Sequence, residues 1–226
     1  MIGRKPRFGS HLRVVAVSIA EISRPQRLVL YGEPWVAYVR LLRLFDERRH
    51  LRITYDRGAL EIMTLSPEHE QWKRLIGRLI VALTEELGLP LAEYGSMTMK
   101  RRKKLRGLEP DECFWIQNEA LVRQLKSYDL HRDPPPDLIV EVDISRSAVN
   151  RMSIYAAFNV PEVWRFRNER LEFYVLQEDG KFAVQPISRA FPGIPADEVN
   201  RFLALRGQVD HNSLVRQFRE WIRSRS

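Results

Sequence analysis

A short segment in the second half of the chain places three acidic residues within an otherwise apolar run, a pattern that strongly limits how it can fold. It reads Asp137-Leu138-Ile139-Val140-Glu141-Val142-Asp143 and follows three prolines that exclude regular structure. Its apolar content predicts a buried β-strand. Side chains alternate faces along a strand. Asp137, Glu141 and Asp143 therefore share one face with Ile139, and the other face carries Leu138, Val140 and Val142. We expect Glu141, together with the earlier acid Asp111, at the edge of one mixed β-sheet.

Ionised carboxylates on a buried strand are costly unless a cation or hydrogen bonds compensate them. Asp111 lies on the preceding predicted strand, 109–116, and its carboxylate would converge with that of Glu141 if the two strands are neighbours. Two carboxylates, a substrate phosphate and retained water suit magnesium, with manganese as an alternative. Such an ion lowers the pKa of bound water and stabilises charge on phosphate. The pair therefore predicts a metal site that hydrolyses phosphodiester bonds.

These acids also have simpler interpretations. Asp111 and Glu141 would then only cap strands or pair with some of the arginines in this chain. Asp143 is either a further ligand or electrostatic partner, or a surface acid at the end of its strand.

The remaining elements follow from periodicity and turn residues. Residues 1–30 are expected to form an N-terminal extension, and 31–226 one domain with peripheral C-terminal helices. The patterns predict an opening helix over 33–46, a β-hairpin over 51–64, a helix from Ser66 to Leu87 and a strand over 91–98. A helix over 145–158 and three later strands, at 163–166, 171–176 and 182–187, complete the expected α/β domain.

His69 occupies the first turn of the helix that starts after Ser66. Extending the apolar stripe of that helix backwards places His69 near its centre, whereas Glu70 points to solvent. His69 is therefore a candidate auxiliary residue of the site. A hydrogen-bonded core or cap histidine is the alternative.

A basic run separates the 91–98 strand from Asp111. With 37 Lys and Arg against 29 Asp and Glu, the chain has a formal charge of +8, which favours polyanionic partners. We expect the run to be an exposed loop that binds the phosphate backbone of nucleic acid. A solvated loop without function is the alternative. Its cations are Lys100, Arg101, Arg102, Lys103, Lys104 and Arg106.

The cellular location is expected to be the cytoplasm. Cys113 is the only cysteine, so one chain cannot form an internal disulfide, which suits a reducing compartment. The sequence has no apolar stretch near the roughly 20 residues that a membrane-spanning helix needs, and no membrane association is expected.

Several segments together resemble the Uma-type restriction endonucleases, within the PD-(D/E)xK nuclease superfamily. The resemblance runs from about Tyr31 to Trp221. Its carriers are Ser66-Pro67-Glu68-His69-Glu70, Glu109-Pro110-Asp111, Pro136-Asp137-Leu138-Ile139-Val140-Glu141-Val142, Ile154-Tyr155 and Val160-Pro161-Glu162-Val163-Trp164. It implies a restriction-endonuclease-like core, a mixed β-sheet flanked by helices, with Asp111 as the motif aspartate and Glu141 as the second acid.

The chain departs from the superfamily pattern at one position. The pattern continues with a lysine two residues after the second acid, where this sequence has Asp143. Arg151 falls where many members of the resembled family carry a lysine on the following helix, and Lys100 is another candidate. Arginine stabilises phosphate charge but cannot readily act as a base. Asp111, Glu141, Asp143 and Arg151 are thus the expected catalytic set.

Two functions account for these features, whereas a third, a protein-interaction module that binds no nucleic acid, would leave the basic run unexplained. The first is a magnesium-dependent endonuclease acting on DNA, with a homodimer expected if both strands of a duplex are cut. The second is a nucleic-acid-binding or interaction protein that kept the scaffold after losing its lysine. Magnesium binding separates them, because only the first requires the ion.

Overall fold

The computed structural model describes residues 26–45, 51–144 and 147–225. The described residues form α-helices around two β-sheets. The expected N-terminal extension, 1–30, lies largely outside the described residues, but strand β1 (Arg27–Leu30) already pairs within the fold. The folded part therefore begins before residue 31.

The first sheet is antiparallel and has the strand order β1-β3-β2-β6-β5. Its other strands are β2 (Leu51–Asp56), β3 (Ala59–Thr64), β5 (Met99–Arg101) and β6 (Arg106–Leu108). The predicted hairpin is confirmed as β2 and β3, joined through Arg57 and Gly58 at φ 49° and 100°. Positive φ at both turn residues matches the strand twist of a two-residue hairpin. Helix α1 (Trp35–Leu44), the predicted opening helix, packs on this sheet through Tyr38.

The second sheet is mixed and has the strand order β11-β10-β9-β8-β7-β4. Its strands are β4 (Ala92–Tyr94), β7 (Glu112–Trp115), β8 (Leu138–Val142), β9 (Glu162–Arg167), β10 (Arg170–Leu176) and β11 (Phe182–Gln185). Among the described strands of this sheet, only the β8–β9 pair is parallel. Strand β8, which carries Glu141, is an interior strand. Asp111 and Glu141 therefore belong to one mixed sheet, as expected, but they lie near strand ends and not on an edge strand, and the first sheet faces them.

The long helix predicted after Ser66 is confirmed as α2 (Pro67–Glu86). The Ser66 side chain accepts a hydrogen bond from the His69 backbone N–H at 3.2 Å, which satisfies a donor that the helix leaves free. Pro67 fits the first helical position, where no N–H is needed. The chain leaves the helix through Gly88 at φ +62°.

The basic run is a β-hairpin and not the expected loop. Met99 and Leu108, at its two ends, are fully buried, so the strands β5 and β6 are anchored in the core. A Cβ on Gly107 would clash with the Tyr38 ring and hydroxyl, so only glycine lets β6 approach α1 this closely. The charge of the run predicts a loop, but the buried apolar residues on either side of it stabilise a hairpin.

The second sheet is buried on both faces. Leu138, Val140 and Val142 pack with α2, while Ile139 packs on the other face with Tyr155. Helix α3 (Glu119–Val122) is short, and α4 (Arg151–Ala157) occupies only the second half of the helix expected over 145–158. The acid-bearing face of β8 is therefore as buried as its apolar face.

The C-terminal helices α5 (Ala196–Leu203) and α6 (His211–Arg223) are not peripheral. Val199, Phe202 and Phe218 are buried in the same core cluster as α2. Arg223 and Arg219 each pair with Glu86 at the end of α2. These helices complete one face of the second sheet. Within the described ranges, no helix is long and apolar enough to span a membrane.

Candidate active site

Asp111 and Glu141 lie next to each other where two neighbouring antiparallel strands, β7 and β8, are paired. Glu112 on β7 pairs with Val140 on β8, and the two acids lie one residue further along. Asp111 itself lies just before β7 and not within it. Its Oδ2 accepts the backbone N–H of Val142 at 2.8 Å, which ties the end of β7 to β8. The sequence predicted this convergence, and the sheet register produces it.

The Asp111 carboxylate is buried among cations. His69 Nε2 lies 3.0 Å from Oδ2, and Arg52 Nε lies 3.8 Å from Oδ1. Burial raises the pKa of Asp111, but the charge and hydrogen bond of His69 and the charge of Arg52 outweigh it and lower the pKa to about 2. Asp111 is thus ionised at neutral pH. His69 is buried and Glu70 is partly exposed, as their positions on α2 predicted.

Glu141 is bound by Arg151 through both carboxylate oxygens. Arg151 Nε donates to Oε2 at 3.0 Å and Nη2 to Oε1 at 2.6 Å. The Tyr155 hydroxyl, one turn along α4, also donates to Oε1. Burial still raises the pKa of Glu141 above its usual value, although the charge of Arg151 opposes this. The two motif acids therefore differ in proton affinity.

Arg151 connects the two sheets. Its Nη1 donates to Thr54 Oγ1 on β2 at 2.8 Å, and its Nη2 donates to the Glu109 carbonyl at 2.7 Å. The Asn150 side chain accepts the Ser153 N–H at 3.1 Å and caps α4, which fixes where the arginine leaves the helix. Arg151 was expected at the site from the family pattern alone. The structure places its guanidinium there.

Asp143 lies at the end of β8 and pairs with Arg165 at 2.5 Å. Arg165 lies on β9 directly opposite Glu141 in the parallel register.

Asp137, at the other end of β8, accepts the backbone N–H groups of Ile116 and Asn118 at 2.8 and 2.9 Å. Asp137 is thus a structural cap, whereas Asp143 remains beside the candidate site.

A cavity of about 280 Å³ collects these groups. Three carboxylates and three arginines line it, together with His69. Because acids and arginines balance in number, the cavity is close to neutral before His69 is counted. The lining groups that carry charge are Asp111, Glu141, Asp143, Arg52, Arg151 and Arg165.

The carboxylates of this cavity are suitable ligands for a divalent metal, but each of them already pairs with a cationic side chain. Among the described residues, no cluster of three or more His, Cys, Asp or Glu could hold a metal ion. Magnesium, however, is commonly held by one or two carboxylates together with substrate phosphate and water. Asp111 and Glu141 supply that pair on one cavity wall. The fit therefore depends on an additional anion, since each carboxylate here already has a cationic partner.

The basic hairpin does not line this cavity. Some of its cations make contacts within the protein, and the others are exposed. Arg106 pairs with Asp56 at 2.9 Å, and Arg101 donates to the Leu130 carbonyl at 2.8 Å. Lys104 donates to the Ala157 carbonyl at the end of α4. These three contacts are structural. The remaining exposed cations of the predicted nucleic-acid surface are Lys100, Arg102 and Lys103.

Sequence reasoning missed the contribution of the first sheet. Arg52 and Thr54 lie on one face of β2, opposite Ile53 and Tyr55, which pack in the core beneath α1. The alternation of polar Arg52 and Thr54 with apolar Ile53 and Tyr55 was the available signal, and all four residues are buried. Tyr155 and Arg165 were also missed, because their roles depend on which strands and helices become neighbours.

The fold and site define the class: an α/β protein of restriction-endonuclease-like architecture with a buried pair of acids beside a basic side chain. The chain matches the Uma2 family, described as putative restriction endonuclease, over residues 35–201. It belongs to this family, and the resemblance seen in its motifs is confirmed. The family indicates a nuclease-type function with nucleic acid as substrate. Comparison with curated proteins gives no match.

Proposed function

We propose that this protein is a magnesium-dependent endonuclease that hydrolyses phosphodiester bonds in DNA. One observation carries the proposal: Asp111, just before β7, and Glu141, on the adjacent strand β8, line one cavity beside a buried arginine. Family membership supports the nuclease class. Asp111 and Glu141 would hold the ion, which when bound would supply a Lewis acid and acidify water.

The side chains of this protein supply charge stabilisation and position. Arg151 is permanently charged and largely withheld from solvent, so its attraction for developing phosphate charge is strong. Arg52 and Arg165 add positive charge to the same cavity. Asp143 stands where the superfamily has its lysine, and its pairing with Arg165 limits its negative influence on a phosphate.

Metal and substrate should bind together. The cavity is balanced in charge, so a divalent cation alone would add positive charge that no free carboxylate compensates. A phosphate supplies the missing negative charge. We therefore expect magnesium to bind more tightly when an uncleavable oligonucleotide is present, and manganese to behave similarly.

The test combines cleavage and binding. DNA cleavage should require magnesium, stop with chelator and be lost in Asp111→Ala. Titration calorimetry, with and without a phosphorothioate oligonucleotide, should show metal binding in the wild type and not in the Asp111→Ala, Glu141→Ala double variant. Equal metal binding by both proteins would show that these acids are not the ligands.

A second candidate is a protein that binds nucleic acid on this scaffold without cutting it. The observation that favours it is the complete engagement of Glu141 by Arg151 and Tyr155. This candidate needs no ion. It would be supported by DNA binding that is unchanged by chelator, together with absence of cleavage at any metal concentration.

The substrate type, assembly and location belong to the same proposal. DNA is preferred to RNA as substrate, and a homodimer stays a prediction that depends on duplex cleavage. The cytoplasm is the proposed location, because a single cysteine suits a reducing compartment.

A further inference from the structure

A second cavity, of about 440 Å³, lies alongside α4 next to the candidate active site. We call it the side cavity, and its main wall residues are Arg106, Asn150, Met152, Tyr174, Lys181 and Phe182. Asn150 and Met152 also line the active-site cavity. The two cavities are therefore neighbours across the first turn of α4.

Two aromatic rings form part of the side cavity wall. Tyr174 on β10 pairs with Val184, and Phe182 on β11 pairs with Leu176, so the two rings are diagonal neighbours on one face of the sheet. Both residues are only half-buried. The Tyr174 hydroxyl donates to Glu172 at 2.9 Å, which orients its ring. Ring surface is thus available at the cavity wall.

The charged residues that line the side cavity, Arg106 and Lys181, are both basic. No Asp or Glu is among its described lining residues, whereas Lys181 is exposed at its wall. Lys104 lies at the rim, because it donates to the carbonyl of Ala157, another wall residue. The turn of the basic hairpin therefore adjoins the cavity.

A larger cavity beside α2 differs in this respect. Glu70, Glu109 and Glu112 line it together with Arg52, Lys73 and Arg74, so its lining carries no net charge. The side cavity combines aromatic surface, positive charge and contact with the active site.

We propose that the side cavity receives an unpaired nucleobase of the substrate strand, next to the phosphate held at the active site. The inference rests on the proposed function for the position of that phosphate. Stacking on aromatic rings and a basic track for the backbone are how proteins hold single strands without reading sequence. A base inside a duplex cannot enter such a cavity unless it leaves the stack. The substrate is accordingly single-stranded or locally unpaired nucleic acid.

The test measures stacking separately from cleavage. A short single-stranded oligonucleotide carrying 2-aminopurine is titrated with the Asp111→Ala protein, and anisotropy and base fluorescence are recorded. Phe182→Leu, in the same background, keeps apolar bulk but removes the ring, so single-strand affinity should fall about tenfold. Quenching of 2-aminopurine should also decrease. Tyr174→Leu provides an independent second variant.

The controls separate this inference from the proposed function. Ile187→Ala, at an exposed apolar residue just after β11, should leave affinity and quenching unchanged. Equal single-strand affinity and quenching with and without the Phe182 ring would overturn the inference, even if the wild type cuts DNA. A wild-type preference for blunt duplex over single strands would also overturn it. Loss of stacking in Phe182→Leu without cleavage by the wild type would retain the side cavity and reject only the hydrolysis.

Discussion

At the scale of single residues, Arg151 has the most consequence for the proposed chemistry. It neutralises Glu141 through two hydrogen bonds and reaches Thr54 on the other sheet. A bidentate guanidinium differs from the lysine that the family resemblance led us to expect at this position, because it cannot give up its proton. The site can therefore stabilise charge through Arg151 but cannot use it as a base.

Replacing Arg151 separates its electrostatic role from its structural one. Arg151→Lys should retain cleavage, whereas Arg151→Ala should lower the cleavage rate on the order of 100-fold. Arg151→Ala also leaves Glu141 buried without its cation, which should destabilise the fold by about 3 kcal/mol. Cleavage is measured at matched folding and metal occupancy, with the exposed Arg189→Ala as control. An alanine protein that cuts as fast as wild type would contradict the catalytic role.

The His69–Asp111 pair predicts how stability depends on pH. Burial lowers the pKa of His69, but the charge and hydrogen bond of Asp111 outweigh this and raise it above 6.5. The folded chain therefore binds the proton more tightly than the unfolded chain. This contribution to stability is present below pH 6.5 and is lost as pH rises through the folded-state pKa.

Urea unfolding at about pH 6 and about pH 9, in the presence of chelator, measures this effect. His69→Gln should show a smaller loss of stability between the two pH values than the wild type. His131→Gln, at an exposed histidine, should behave like the wild type. The same loss in His69→Gln as in the wild type would assign the dependence to other groups.

At the scale of elements, the β5–β6 hairpin shows how charge and packing divide within one segment. Its strands are held by buried Met99 and Leu108, and Arg101 and Arg106 are used in internal contacts. Only the cations that remain exposed can exchange counterions for phosphate. The hairpin therefore exposes only some of its six cations, and its strands hold them in place.

Removing exposed hairpin cations should weaken nucleic-acid binding in a salt-dependent manner. Arg102→Gln combined with Lys103→Gln should lower the slope of log affinity against log salt by about one for each phosphate that the variant no longer neutralises. Lys126→Gln with Arg216→Gln removes the same charge from exposed positions elsewhere. The comparison uses fluorescence anisotropy across a salt series. If the two double variants have the same slope, the hairpin has no special part in binding.

At the scale of the whole molecule, the site exists only because the two sheets are held together around it. Glu61 on β3 is buried, and it accepts hydrogen bonds from Ser147 Oγ at 2.5 Å and the Ala148 N–H at 2.8 Å. The first sheet thereby fixes the segment that leads into α4. The position of Arg151 depends on this connection.

Loss of the Glu61 connection should loosen the site. Glu61→Ala leaves the Ala148 N–H without its acceptor and should cost about 1–3 kcal/mol of stability. Hydrogen exchange in residues 147–151 should accelerate more than in the rest of the chain. Glu93→Ala, on an exposed position of β4, is the control. Unchanged exchange in this segment would show that the first sheet does not hold it.

Local patterns were sufficient for most helices and strands. The α2 helix, its Ser66 cap and the β2–β3 hairpin follow from the spacing of apolar residues and from turn chemistry, which act over a few residues. The motif acids Asp111 and Glu141 were also predicted to meet. Their roles as metal ligands stay a prediction.

The sequence by itself determined the family, the pair of acids and the strand that buries Glu141, because these depend on local order. Only the tertiary structure decided that a second sheet faces the acids, that Arg52 and Arg165 join them, and that Arg151 binds Glu141 through both oxygens. These contacts join residues far apart in the chain, and no local pattern specifies which distant strands become neighbours. The charge of the basic run predicted a loop, and this prediction was wrong because burial of Met99 and Leu108 stabilises the run as a hairpin.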